Sequence, residues 1–472
     1  MPKESFDLVV RNAQIATASE QYRADIGVTG GKITQIGLHL GAGMHEINAC
    51  GRIVTPGGVD AHCHLDQPME PPAKMADNFD SGTRSAACGG TTTVIPFAAQ
   101  QKGQSLLAAV EDYHQRAAGT AHVDYAFHLI VSDPTPEVLN KELPALIAQG
   151  YTSFKIYMTY EDMKLDDLEI LNVLAVARAH NALTMVHAEN ADCIEWLTRR
   201  LEAAGHTAPR FHAHSRPMLV EREATHRAIS LAELVDTPIL IVHVSGREAV
   251  EQIRWARAHG LKILAETCPQ YLFLTADDLG LDDHYEGARC ICSPPPRDRA
   301  NQKFIWHALS DGLFSVFSSD HAPFTYEGTD GKHPDGAQAL FRYIPNGIPG
   351  IETRMALLFS EGVLGGRITL EKFVELTATN PAKAYGLHPR KGSISIGADA
   401  DLVIWHEGET TITNQNLHHA VDYTPYEGMR LRAWPAITLS RGRVIWDGQF
   451  HPAQEHGQFL ACESSSIFAR RG

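Results

Sequence analysis

The chain has 472 residues and a net charge of −15, from 41 Lys plus Arg against 56 Asp plus Glu. Hydrophobic residues make up 44% and charged residues 21%, enough apolar surface to exclude disorder as the main state. The acidic balance argues against nucleic acid or an anionic membrane as partner, and no run of about 18 apolar residues reads as a span.

MPKESFDLVV lacks the charged-then-apolar pattern of a signal peptide. Eight cysteines without a CxxC pair read as free thiols in a reducing cytoplasm. Histidine is in surplus, 25 of 472, which points to metal or acid–base chemistry without locating it.

Along the chain, residues 1–56 read as short strands and turns, among them 7–10, 25–28 and 32–36, with Gly30-Gly31 as a hairpin signal. The middle alternates strands with helices. Buried strands are predicted at 59–64, 91–97, 123–131, 152–158, 183–188, 238–244, 262–267 and 314–319, and helical spacing recurs at 165–180 and 246–259. Eight such strands are the count for a (β/α)8 TIM-like barrel over 57–389, with an active site at the strand C-terminal ends. Residues 390–450 return to strand texture, so 1–56 and 390–450 are predicted to build one discontinuous β-sandwich domain. The tail, 451–472, carries little pattern and reads as an extended arm.

Several residues could carry chemistry. His62 and His64 flank Cys63 at the end of a strand, where i and i+2 share a face and both imidazoles reach one metal. A second pair, His212 and His214, lies in a polar stretch and reads as a solvated loop. His187, His243 and Asp320 each close an apolar strand. Singly, such a histidine is as easily a satisfied core residue and such an aspartate a helix N-cap; on strands of one barrel they form a metal cluster. Lys155 sits inside an apolar strand, which is costly unless it is paired, neutralised or snorkels to the surface. Carbon dioxide would convert its neutral amine to a carbamate, a bidentate anionic ligand suited to two metals.

These residues resemble the cyclic amidohydrolases, the dihydropyrimidinase and D-hydantoinase group of the amidohydrolase superfamily. The resemblance spans nearly the whole chain and rests on PGGVDAHCHLDQP at 56–68, FKIYMTY at 154–160, VHAEN at 186–190, IVHVS at 241–245, CSPP at 292–295, SSDHAPF at 318–324 and PNGIPGIE at 345–352. It implies two zinc ions per subunit, bridged by carboxylysine at Lys155 and by hydroxide. His62 and His64 would bind one zinc and His187 and His243 the other. Asp320 would bind the first and shuttle the proton. Tyr160 would donate to the carbonyl oxygen under attack, and Ser293 and Asn346 would grip the ring amides, largely through backbone groups.

The implied reaction is ring opening of a cyclic ureide, a 5-substituted hydantoin or a 5,6-dihydropyrimidine, to an N-carbamoyl amino acid by a homotetramer or dimer. Three departures from the family pattern lie beside the substrate loops: Asp66-Gln67, Thr159 with Glu161-Asp162, and Ala322. Dihydroorotase is disfavoured, because Asp66 stands where that group places an arginine. The alternatives are allantoinase or another cyclic imide hydrolase and, from a different class, a non-catalytic dihydropyrimidinase-like scaffold, whose metal ligands would be missing.

Overall fold

Two sheets organise the chain in this computed structural model, which describes residues 6–334, 339–452 and 457–468. The first sheet is drawn from both termini: Phe6–Ala16, Gln21–Thr29, Lys32–Gly37, Gly43–Asn48, Ile53–Pro56, Leu402–Thr411, Arg430–Ser440 and Arg443–Trp446. Most of its pairs are antiparallel, but Gly43–Asn48 and Ile53–Pro56 run parallel to the first strand. The two ends of the chain meet where Ile53–Pro56 pairs with Leu402–Thr411. Val10, Ile15, Ile26, Leu402 and Leu439 then pack in one apolar cluster.

The second sheet is wholly parallel and nearly closed. It runs through Gly58–Cys63, Thr91–Ala99, His128–Ile130, Ser153–Tyr157, Leu183–His187, Ile239–Ile241, Ile263–Thr267 and Val316–Phe317. The strand predicted over 123–131 is two pieces. Asp124–Tyr125 pairs one half of Thr91–Ala99 and His128–Ile130 the other, so together they fill one barrel position. The spans at 238–244 and 314–319 shorten because the chain leaves the ladder before His243 and Asp320. The seam between first and last strands lacks a continuous ladder. A parallel bridge from Cys63 to His321 spans it, with the His64 N–H on the His321 carbonyl at 2.7 Å and Asp60 accepting from the Ser319 N–H at 3.0 Å.

Helices cover the outside. Asp167–His180 and Arg247–Ala258 lie within the spans that periodicity predicts. The first opens on a capping box of Asp166 and Glu169 and closes on Asn181 in the left-handed region. No described helix is long and apolar enough to cross a membrane.

The tail differs from the sequence expectation. Residues 457–468 do not project as an arm but lie against their own barrel. The Leu460 N–H donates to Tyr125, Cys462 to Gly150 and Glu463 to Gly386. Leu460 and Cys462 are buried in the cluster that contains the inward strand residues Ala61, Met185 and Leu240. The fragment lacks hydrophobic periodicity because its backbone pairs with several separate segments, not along one neighbouring strand.

Lys391 sits where barrel, terminal sheet and tail meet. Its ammonium, fully buried, lies 2.6 Å from Asp124, 2.8 Å from Asp401 and 3.1 Å from Asp399. The other oxygen of Asp124 accepts from the tail, at Gln458 N–H, 2.8 Å away.

Candidate active site

Strand register explains how the candidate side chains meet. Val59 and Ala61 face the barrel interior. A register irregularity between Asp60 and Cys63 then shifts the alternation. His62 and His64 therefore also turn inward, each packing a ring on Phe97 at 4.9 Å between centroids, while Cys63 packs among the outer residues. Lys155 alternates with the outward Phe154 and Ile156 and is fully buried, so it does not snorkel. His187 continues the inward line of Leu183 and Met185. Tyr160, His243 and Asp320 have φ of 66°, 37° and 49°. Left-handed backbone away from glycine costs on the order of 1–2 kcal/mol per residue, and three such residues share this one mouth.

The structure brings all six candidate ligands together. Nε2 of His62 lies 3.1 Å and Nε2 of His64 3.6 Å from Asp320 Oδ1. Lys155 Nζ is 3.3 Å from His62 Nε2. His187 Nδ1 and His243 Nε2 face each other at 2.9 Å, and the rings of His62 and His243, 5.4 Å apart, join the two groups.

Acceptors stand behind three of the imidazoles. His62 Nδ1 is 2.7 Å from Glu266, His64 Nδ1 is 2.7 Å from Gln67, and His187 Nε2 is 2.8 Å from Glu189. The Gln67 and Glu189 oxygens only accept, so His64 and His187 carry their proton on that side and turn a lone pair to the centre, while Glu266, whose carboxyl burial raises against the pull of Lys155, faces His62. Glu189 also pairs with Arg216 at 3.2 Å. Burial would raise its carboxyl, but Arg216 and His187 hold it down at about 2. Burial pushes His62, His187 and His243 below the usual histidine value, which keeps them as neutral imidazoles. Burial also lowers Lys155 against the pull of Glu266 and Asp320. Neutral rings with fixed tautomers, a carboxylate and a buried amine open to carboxylation form a donor set that fits divalent metal.

Tyr160 borders this centre. Its hydroxyl accepts from Asn346 Nδ2 at 3.4 Å, and burial raises its pKa, so it remains a protonated donor. Ser293 is buried, with its hydroxyl beside that of Tyr160. Asn346 comes close because Gly347 follows it: a Cβ there would sit 2.5 Å from that of Ala322.

Other sequence readings change. His212 is not in a solvated loop. It lies in the short helix Phe211–Ser215, is buried, and donates from Nε2 to the Cys292 carbonyl at 2.9 Å; only His214 is exposed. Asp66 pairs with Arg116 at 3.3 Å, which offsets its charge there. Gln67, beside it, is the acceptor for His64. Sequence reasoning missed Glu266, Glu189 and Arg216. Glu266 offered the signal that marked Lys155, a charge in an apolar strand, and Glu189 stood inside VHAEN, whose Asn190 caps the next helix. Among the described residues a further cluster, Cys88, Glu352 and His418, also has metal-ligand spacing. There Glu352 already accepts from the Ser85 hydroxyl and from the backbone and ring of His418.

A parallel barrel with a histidine–carboxylate–lysine mouth, flanked by a sheet from both termini, defines a class of metal-dependent amide hydrolases. The family model described as Amidohydrolase family matches residues 53–445, and the chain belongs to that family. Within it the chain falls in the hydantoinase group of cyclic amide hydrolases. It is 44% identical to the D-hydantoinase of Rhizobium radiobacter over 456 residues, 96% of this chain and 98% of that one. A solved D-hydantoinase structure matches with a TM-score of 0.94 at 43% identity, covering 98% of this chain and 100% of that one. The dihydropyrimidinase of Brevibacillus agri NCHU1002 matches with a TM-score of 0.93 at 40% identity, covering 97% and 98%.

Proposed function

We propose that this mouth opens the ring of a cyclic ureide, a 5-substituted hydantoin or a 5,6-dihydropyrimidine, to give an N-carbamoyl amino acid. The observation that carries the reading is the set of buried imidazoles whose far nitrogens rest on Glu266, Gln67 and Glu189. His62, His64, Asp320 and carboxylated Lys155 would hold one zinc ion, and His187, His243 and the same carboxylated lysine a second. When bound, the pair supplies a water nucleophile at neutral pH and polarises the scissile carbonyl.

The protein's own groups do the rest. Asp320 accepts the proton of the attacking water at a carboxylate oxygen and passes it to the leaving ring nitrogen, which is otherwise a poor leaving group. The Tyr160 hydroxyl donates to the carbonyl oxygen as negative charge grows there. Backbone groups at Ser293 and Asn346 hold the ring amides and orient the bond to be cut. Eight free cysteines support a reducing cytoplasm, and assembly into a homotetramer or dimer is what the family resemblance implies.

Elemental analysis of the purified protein, paired with hydrolysis of dihydrouracil and of a D-5-substituted hydantoin, tests the reading. About two zinc ions per chain with turnover of either ring are expected. No metal and no turnover after zinc and bicarbonate are supplied would overturn it. In the same assay Tyr160→Phe is expected to lower kcat by about 10²–10³-fold with little change in KM, because its hydrogen bond strengthens only as charge develops.

A further inference from the structure

The segment from Ile291 to Pro294 crosses the barrel mouth with its carbonyls taken up by buried side chains. Lys332 Nζ donates to Ile291 at 2.9 Å, His212 Nε2 to Cys292 at 2.9 Å, and the Tyr271 hydroxyl to Pro294 at 2.9 Å. The Ser293 carbonyl, alone of the four, accepts no hydrogen bond from the described residues.

Lys332 also donates to the Pro345 carbonyl at 2.6 Å, one residue before Asn346. One amine thus joins the segment that leads to Ser293 and the peptide that carries Asn346. The Gly347 N–H adds a direct link to the Ile291 carbonyl at 3.1 Å.

This lysine is an unusual thing to bury. It is fully inaccessible, and among the described residues its amine meets two carbonyls and the Phe324 ring, 5.8 Å away, with no carboxylate among them. Burial pushes it down to about 7. Charged or neutral it keeps at least two N–H donors, enough for both carbonyls. Its own backbone is pinned as well. The N–H donates to Thr325 at 2.8 Å, and the carbonyl accepts from the Tyr285 hydroxyl at 2.6 Å. Gly331 permits that approach, since a Cβ there would lie 2.1 Å from the Thr325 oxygen.

We propose that Lys332, supported by His212 and Tyr271, is a positioning residue that fixes the spacing of the Ser293 and Asn346 peptides and leaves the Ser293 carbonyl free for a ring N–H of the substrate. The assignment rests on the reading of Ser293 and Asn346 as the ring-gripping positions. Any donor lost from this set removes a restraint on a carbonyl (for Lys332 chiefly that of Pro345, since the Gly347 N–H still holds Ile291), so the grip loosens in ground and transition state alike. That loss raises KM more than it lowers kcat. A lysine with a merely structural role would lower stability and active fraction without that split.

The test compares K332M, which keeps the aliphatic stem but no donor, with K332R, which keeps donors and charge. Steady-state kinetics on a D-5-substituted hydantoin and on dihydrouracil are read beside zinc content and melting temperature. K332M is expected to raise KM at least about tenfold, with a smaller fall in kcat and parental zinc content. K332R should recover part of the loss. H212Q and Y271F should raise KM less, and each should combine non-additively with K332M. If K332M does not fold, Y271F, which lacks a single hydroxyl, carries the test by the same split. A parental KM in these variants, with the parent active, overturns this assignment alone. A parent that holds its metals but turns over neither ring overturns the function proposed above, and this assignment with it.

Discussion

Lys155→Ala is expected to abolish ring opening, by on the order of 10³-fold or more, and to lower the metal content of the purified protein. The argument is positional. Lys155 is fully buried, 3.3 Å from one imidazole and 5.0 Å from the centroid of Phe97, in a strand whose other face packs against helices. A bare ammonium there gains little: Glu266 already accepts from His62, and Asp320 already meets two imidazoles. Carboxylation resolves the conflict. The amine nitrogen forms a bond to the carbon of carbon dioxide and releases a proton. The product is an anion beside the Asp320 carboxylate, and the two cations proposed above would offset both charges. Two further results are expected. Intact mass under non-denaturing conditions should exceed the sequence mass by one carbon dioxide, and a short carboxylic acid such as acetate or propionate should restore part of the activity of the alanine variant. Full zinc and full activity in Lys155→Ala would sink the assignment.

Residue types and their places in strands made much of this site legible. His187, His243 and Asp320 stood at the ends of apolar runs, so the barrel rule directed those three to one mouth, while Lys155, inside such a run, was marked by the cost of burying its charge. Other features depend on three-dimensional neighbours. The inward turn of both His62 and His64 needs a register shift that no local pattern announces. Glu266, Glu189 and Gln67 matter through the ring nitrogen each one faces, a relation set by packing. His212 looked solvated because its neighbours in sequence are polar, yet its partner is the Cys292 carbonyl, distant in sequence. The tail was the least legible. Its backbone N–H groups donate to Ala121, Tyr125, Gly150, Gly386 and Lys383, separated points that leave no periodic trace.

Lys391→Met is expected to be the most damaging single change outside the mouth. The lysine bonds carboxylates of a barrel strand and of the loop that enters the terminal sheet, all at 3.1 Å or less and almost without solvent. Removing the ammonium leaves Asp124, Asp399 and Asp401 facing one another, a loss of about 3–5 kcal/mol for a broken buried ion network. The pH dependence follows from the shifts. Burial alone would raise Asp399, but Lys391, Lys32 and Arg390 bring it down to about 2. Its contribution is therefore present above the unfolded carboxyl value of about 3.9 and is lost as pH falls towards 2. Lys391 runs the other way. Burial opposes its charge, but Asp401, Asp124 and Asp399 together raise its pKa above the ordinary lysine value. Its contribution is present below about 10.4 and fades only as the solution turns strongly alkaline. Without the lysine Asp124 and Asp401 repel until one takes up a proton, while Lys32 and Arg390 still face Asp399. Asp401, which burial raises against the pull of Lys391, is the group placed to do so first. The deficit of Lys391→Met relative to the parent, read as apparent melting temperature at pH 8, 6 and 4.5, should narrow on acidification. A variant as stable as its parent at pH 8, or a deficit that widens towards pH 4.5, would show that the three segments are held together by other contacts.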